Sequence, residues 1–184
     1  MVELIKSKMK LRADSNNYIE YENCICDLIQ NETVLSMKKF IQHSNITCLE
    51  HSIDVSYNSY LVCRGLGLDY KSAARGALLH DFYLYDWHIT KSGHGLHGFT
   101  HPGTALKNAN EKFNLNVIEK DIIEKHMWPL TIRLPRYKES FIVSFVDKYC
   151  STTEIIKLRD INNCDRFTRE FLKWNDHLTK KRKT

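Results

Sequence analysis

The sequence predicts an all-α protein, a single-domain helical bundle. Three observations carry that expectation. Only 3 prolines and 7 glycines interrupt 184 residues, too few breakers for a sandwich of short strands or a Gly-loop nucleotide fold. Apolar residues recur at three- and four-residue steps in several stretches, which is the helical period. No stretch reads as a β-strand.

The elements follow in order. A first amphipathic helix is expected from about Asn17 to Asn31, with Ile19, Cys26 and Ile29 among its apolar positions. A second is expected from about Asn31 to His43. Asn45-Ile-Thr47 can start a long helix to about Gly65, along which Leu49, Ile53, Tyr57, Tyr60 and Leu61 repeat with helical spacing, and Gly65 and Gly67 stop it. Asp69 is a candidate N-cap for a helix from Tyr70 to about Tyr85, whose Ala73, Ala74, Ala77, Leu78 and Leu79 suit a tightly packed centre. A loop rich in Gly and His runs from about His88 to Thr100. Thr100-His101-Pro102 reads as a cap and first-turn proline for a helix to about Phe113. Further helices are expected from Asn116 to about Met127, from Ser140 to about Thr152, and from roughly Asp165 to Leu178.

Composition bounds the function. With 42% hydrophobic and 27% charged residues, the chain resembles an ordinary soluble globular protein. No run approaches the roughly 18 apolar residues of a membrane span, and the start, MVELIKSKMKLRAD, lacks a signal-peptide core. A cytoplasmic location is the expectation, with no membrane partner. The 6 cysteines form no CxxC pair, which fits reduced structural thiols. The net charge of +5 owes most to Lys180, Lys181, Arg182 and Lys183. The remaining chain is close to neutral, so no nucleic-acid polymer is expected as a partner.

The histidines carry the chemical signal. Five of the 9 fall between His80 and His101, and His51 and His126 flank that block. His80-Asp81 closes the apolar run GALLHDF. A His and an Asp there are costly to bury without compensation, and a divalent cation compensates both, since imidazole and carboxylate are common ligands. Each residue has a plainer reading. His51 can be a helix-surface histidine, His80-Asp81 a hydrogen-bonded pair, His101 a capping residue, and His126 a favourable charge at a helix C-terminus. Asp147, within FIVSFVDKY, is harder to explain away, because Lys148 points about 100° from it on a helix. The coincidence of these positions on different expected helices, or at their ends, favours a shared site.

The order His51, His80-Asp81, Asp147, with its settings LEHS, ALLHDF and FIVSFVDKY, resembles the motif of the HD superfamily of metal-dependent phosphohydrolases. The resemblance runs from about Cys48 to Thr152. It implies one HD-type helical domain over residues 1–184, with its core over about 42–152 and further helices packed on it. It also implies a first metal held by His51, His80, Asp81 and Asp147. His101 in THPGTAL and His126 in EKHMWPL are similar to the two histidines that two-metal members insert, with Asp81 bridging to the second ion.

On that resemblance the expected cofactor is one or two divalent ions (Fe, Mn, Co, Ni or Zn). The expected reaction is hydrolysis of a small phosphate ester or anhydride, with a nucleotide as the substrate class. Paired ions can polarise a phosphoryl oxygen and activate water. Asp81 is the central catalytic candidate, with Lys125, Asp86 and His97 as candidates for handling the leaving-group proton. Arg75, Arg133, Arg136 and His97 are the candidates for binding phosphate, and His94 is a further substrate contact. The stretch Phe82 to His88 departs from the Lys or Gly-Lys that many two-metal members carry; it reads as core or as a wall that stacks a nucleobase. Two alternatives remain: a di-iron oxygenase of HD-like type, using the same six ligands, and a non-catalytic module that binds nucleotide or metal.

Overall fold

The computed structural model describes residues 15–43, 46–88 and 97–155. The expected helix over 165–178, Cys164, and the residues Lys91 to Leu96 with His94 lie outside them. The described chain is mostly helical. The order is α1 (Ser15–Ile29), α2 (Glu32–Leu35), a 3-10 turn (Ser36–Lys39), β1 (Ile41–His43), β2 (Ile46–Thr47), α3 (Cys48–Gly65), α4 (Tyr70–Leu79), α5 (His97–Lys112), α6 (Val117–Lys125) and α7 (Lys138–Ile155). No helix among the described residues is long and apolar enough to cross a membrane.

Local chemistry sets the helix starts. Thr47 and Glu50 form a reciprocal capping box at α3: Thr47 Oγ1 accepts from the Glu50 amide at 3.2 Å, and Glu50 Oε2 accepts from the Thr47 amide at 2.8 Å. Asp69 caps α4 as expected, accepting from the Ser72 amide at 2.9 Å. Asn116 caps α6 through the amides of Ile118 and Glu119. At the end of α3, Gly67 takes φ +67° and the Leu68 amide returns to the Cys63 carbonyl at 2.9 Å. Only glycine adopts that left-handed turn without strain.

Four boundaries differ from expectation. The helix expected over 31–43 breaks into α2, a 3-10 turn and β1, which pairs antiparallel with β2. Helix α4 stops at Leu79 rather than Tyr85. The His80 ring takes the Ala77 carbonyl at 2.6 Å, and Leu84 turns the chain with φ 62°. Helix α5 begins at His97, so Pro102 lies inside it instead of in its first turn. Helix α7 starts two residues before Ser140 and runs to Ile155.

Helix α4 is the centre of the bundle, packed on α1, α3, α6 and α7. Its Ala74 and Leu78 join Tyr21, Ile25, Leu28, Leu49, Ile53 and Phe82 in one apolar cluster, while Ala73 and Ala77 join Val55, Ile122 and Val143 in a second. Small residues on both faces let its neighbours approach, and those contacts bring the start of α3, the ends of α4 and α6 and the middle of α7 to one place.

Helix α1 is tied to α3 and α4 through Glu20. Its carboxylate accepts from Tyr70 Oη at 2.7 Å, Tyr60 Oη at 2.8 Å and Arg64 Nε at 2.6 Å. Hydrogen bonds from Tyr70, Tyr60 and Arg64 lower its pKa to about 2. A carboxylate with a depressed folded pKa stabilises the fold above its ordinary value of 4.5 and loses that contribution as pH falls towards about 2. The difference in thermal midpoint between wild type and Glu20→Gln is therefore expected to be largest above pH 4.5 and to shrink through that window. A difference that stays constant down to pH 2 would remove Glu20 as the cause.

Candidate metal centre

The centre is built at helix ends. The last carbonyls of a helix lack an intrahelical partner, and two histidines use them. His80, after α4, places Nδ1 at 2.6 Å from the Ala77 carbonyl, and His126, after α6, places Nδ1 at 2.9 Å from the Ile123 carbonyl. Each ring bonds the carbonyl three residues back. An Nδ1–H donated to that carbonyl turns Nε2 towards the centre, where it can ligate once it carries no proton. The two rings lie 4.8 Å apart between centroids.

His51, in the first turn of α3, and Asp147, midway along α7, complete one side. His51 Nε2 lies 3.1 Å from Asp147 Oδ1, and His80 Nε2 lies 3.6 Å from the same oxygen. Behind His51, Nδ1 meets both oxygens of Glu154 at 3.1 Å. A carboxylate on the far nitrogen of a ligating histidine fixes its ring and raises its basicity. His101 on α5 completes the other side, with Nε2 at 2.8 Å from His126 Nε2 and 3.2 Å from Asp81 Oδ1.

Asp81 joins the sides. Its Oδ2 faces His80 Nε2 at 3.2 Å, while its Oδ1 faces His101 at 3.2 Å and His126 at 3.5 Å. All six side chains are buried: His51 and His80 at 0%, His126 at 1%, Asp81 at 2%, His101 at 3% and Asp147 at 7% exposure. Two of their polar atoms, His80 Nε2 and Asp81 Oδ1, are buried without a hydrogen-bond partner. Such orphans in a cluster of imidazoles and carboxylates are what an absent cation would satisfy. The donor set fits a divalent ion, and two overlapping groups have ligand atoms close enough for one: His51, His80 and Asp147, and His80, Asp81 and His126.

No protein-family model, curated protein or solved structure matches this chain. What the site can do follows from its own donors.

The electrostatics agree with a site that attracts cations. Burial opposes the charge on Asp81 and Asp147, yet His80 and His101 beside the first, and His51 and His80 beside the second, hold both carboxyls well below their ordinary range. Burial works against a proton on His51, but Asp147 and Glu154 raise its pKa to about 9. His126 is pushed the other way, to about 3, by burial and then by His80 and His101. The carboxylates therefore favour positive charge in this buried cluster.

The other residues singled out from sequence are engaged elsewhere or lie outside view. Arg75 is held by Asp27 and by Glu119 at 2.7 Å, and donates to the Cys24 carbonyl at 3.2 Å. Glu119 lies seven residues before His126, about 10 Å along α6, so Arg75 clamps α1 and α6 to α4 below the centre. Lys125 pairs with Asp121 at 2.5 Å, one turn back towards the N-terminus of α6. Asp86 accepts from the His88 amide at 2.9 Å. Arg133 pairs with Glu124 at 2.7 Å and lines a cleft of about 470 Å³ with Phe99, Thr100, Gly103 and Leu130. None of the six candidate ligands lines that cleft. The Arg136 side chain is exposed, and its amide donates to Asp121 at 2.9 Å. His97 opens α5, and its side chain lies outside the described residues. Phe82 and Tyr83 belong to the apolar core.

Lys148 reaches further than helical spacing suggested. Its Nζ donates to the His126 carbonyl at 2.8 Å and lies 3.9 Å from Asp147 Oδ2. Two supporting residues were not foreseen. Glu154 lies seven residues after Asp147, two turns along the same face, a spacing that marks it in hindsight. Gln42 donates from Nε2 to Asp81 Oδ2 at 2.6 Å, and its segment read as helix.

Proposed function

We propose that this chain is a metal-dependent phosphohydrolase of the HD type, with two divalent ions and a small phosphorylated substrate, a nucleotide being the favoured class. The observation that carries the reading is the division of Asp81 between two groups of nitrogen ligands, His80 on one oxygen and His101 with His126 on the other. His51, His80, Asp81 and Asp147 would hold the first ion, and Asp81, His101 and His126 the second. Ions so held supply Lewis acidity towards a phosphoryl oxygen and activate water near neutral pH.

The chain's own residues do the rest. Carbonyls of Ala77 and Ile123 and the Glu154 carboxylate aim three imidazoles, so ligand geometry is set before an ion arrives. Burial of all six ligands keeps bulk water away and strengthens each electrostatic contact. Lys148 adds positive charge beside Asp147, the most exposed of the six ligands, where an anionic substrate would approach.

The test is to strip the purified protein with chelator, reload it with Mn or Fe, and screen phosphate esters, nucleotides and dinucleotides for phosphate or nucleoside phosphate. Release is expected from loaded protein only. Oxygen consumption without phosphate release would favour the di-iron alternative, and nucleotide binding with neither would favour the non-catalytic module.

A further inference from the structure

Among its described side chains, the unexpected hairpin delivers one buried polar group, that of Gln42. Along β1, Ile41 faces outward at 38% exposure and Gln42 faces inward at 8%. The Gln42 amide nitrogen donates to Asp81 Oδ2 at 2.6 Å, and its amide oxygen accepts from Tyr83 Oη at 2.5 Å. The direction of this chain follows from chemistry. An ionised carboxylate only accepts, so the Gln42 nitrogen must face Asp81 and its oxygen must face the tyrosine hydroxyl. The hydroxyl belongs to a ring that is 2% exposed in the core, two residues after Asp81 itself. The turn carrying Asp81 is held a second time, by the Cys48 thiol donating to the Asp81 carbonyl at 3.3 Å.

The consequence for the carboxylate is specific. With Gln42 on Oδ2, rotation of the Asp81 carboxyl would break a short hydrogen bond and leave a buried amide unsatisfied. Oδ1 is the oxygen without a hydrogen bond, and it is the one turned to His101 and His126. We infer that Gln42, held by Tyr83, is a positioning residue that locks the Asp81 carboxylate so that Oδ1 serves the His101–His126 side and Oδ2 the His80 side. This deepens the two-ion reading and rests on it. The role of the hairpin is then to complete the centre from outside the helical bundle.

The test is titration of chelator-stripped protein with Mn²⁺ alone, by calorimetry and electron paramagnetic resonance, for wild type, Gln42→Met, Gln42→Ala, Tyr83→Phe and Asp81→Asn. Met keeps the volume of Gln without the amide. Gln42→Met and Gln42→Ala are both expected to weaken the second equivalent of Mn²⁺ by roughly 10- to 100-fold, the usual effect of losing a supporting partner. The first equivalent should weaken less, and the spectrum of a coupled ion pair should fade at matched Mn²⁺. Tyr83→Phe should move the same way by a smaller factor. Gln42→Met that binds both equivalents like wild type, while Asp81→Asn loses them, overturns the positioning role and leaves the centre intact. Wild type that binds no Mn²⁺ overturns the two-ion reading, and this inference with it. Metal-free thermal midpoints report folding separately: Gln42→Met takes a buried partner from Asp81 and from Tyr83, so its midpoint is expected to fall by a few degrees, and the titrations are made well below it.

Discussion

Replacing Asp81 by Ala or Asn is expected to abolish tight metal binding and metal-dependent hydrolysis together. Asp81 is the carboxylate, among the described residues, that faces nitrogen ligands of both sides, at 3.2 Å from His80 and His101 and 3.5 Å from His126. Without it the two groups share no anion, and His80, His101 and His126 face one another with less negative charge to offset a dication. The loss should exceed the roughly 10- to 100-fold that removal of a supporting partner costs. His126→Ala is expected to fall between, keeping the His51, His80, Asp81 and Asp147 set and losing one ion. Elemental mass spectrometry of the reconstituted proteins reads this as near two equivalents for wild type, about one for His126→Ala, and substantially none for Asp81→Asn. Asp81→Asn retaining the full metal content would remove Asp81 from the centre. Asn is the cleaner variant. Removing one member of a buried charged cluster by truncation costs roughly 3–5 kcal/mol, whereas Asn keeps the volume and still hydrogen-bonds.

Gly76→Val is expected to destabilise the fold by about 2–3 kcal/mol, since it inserts side-chain volume where none fits. A Cβ on Gly76 would meet Ile122 Cδ1 at 2.9 Å and Ile122 Cβ and Cγ2 at 3.0 Å. Valine recovers little of the helix propensity that alanine would regain, because it is β-branched. For a chain of this size the loss corresponds to a fall of roughly 4–12 °C in thermal midpoint. The position matters for the centre too. Gly76 lies four residues before His80 and Ile122 four before His126, so their contact sits one turn below both rings. Prising α4 from α6 there separates the histidines, and metal affinity should fall with stability. An unchanged midpoint for Gly76→Val would show that the α4–α6 approach is looser than described.

Three of the candidate ligands were legible because they violate their surroundings, whereas His51, His101 and His126 had plainer readings and joined them through the resemblance to the HD motif. His80, Asp81 and Asp147 interrupt apolar runs, and a charged or polar group in a buried stretch must be compensated by something. The supporting residues were not legible in the same way. Arg75 reads as a free cation near His80-Asp81, yet its partners Asp27 and Glu119 lie 48 and 44 residues away in sequence. Lys125 is adjacent to a ligand, but its ammonium is taken by Asp121. Spacing gives neighbours along a helix and says little about which charges meet across helices.

Local pattern by itself determined a mostly helical chain, the cap at Asp69, helix starts near Thr47 and Asn116, and a set of His and Asp residues that are candidates for one site, because period, capping and burial cost act within a few residues. Tertiary structure alone decided that the six candidate ligands share one buried point, that Asp81 divides its oxygens, and that Glu154 stands behind His51. It also decided the hairpin and the early end of α4. Gln42 lies 39 residues from the carboxylate it meets, and the residues around it are equally compatible with a helix. In the folded chain its side chain meets Asp81 and Tyr83, residues that follow α4 and lie far from it in sequence.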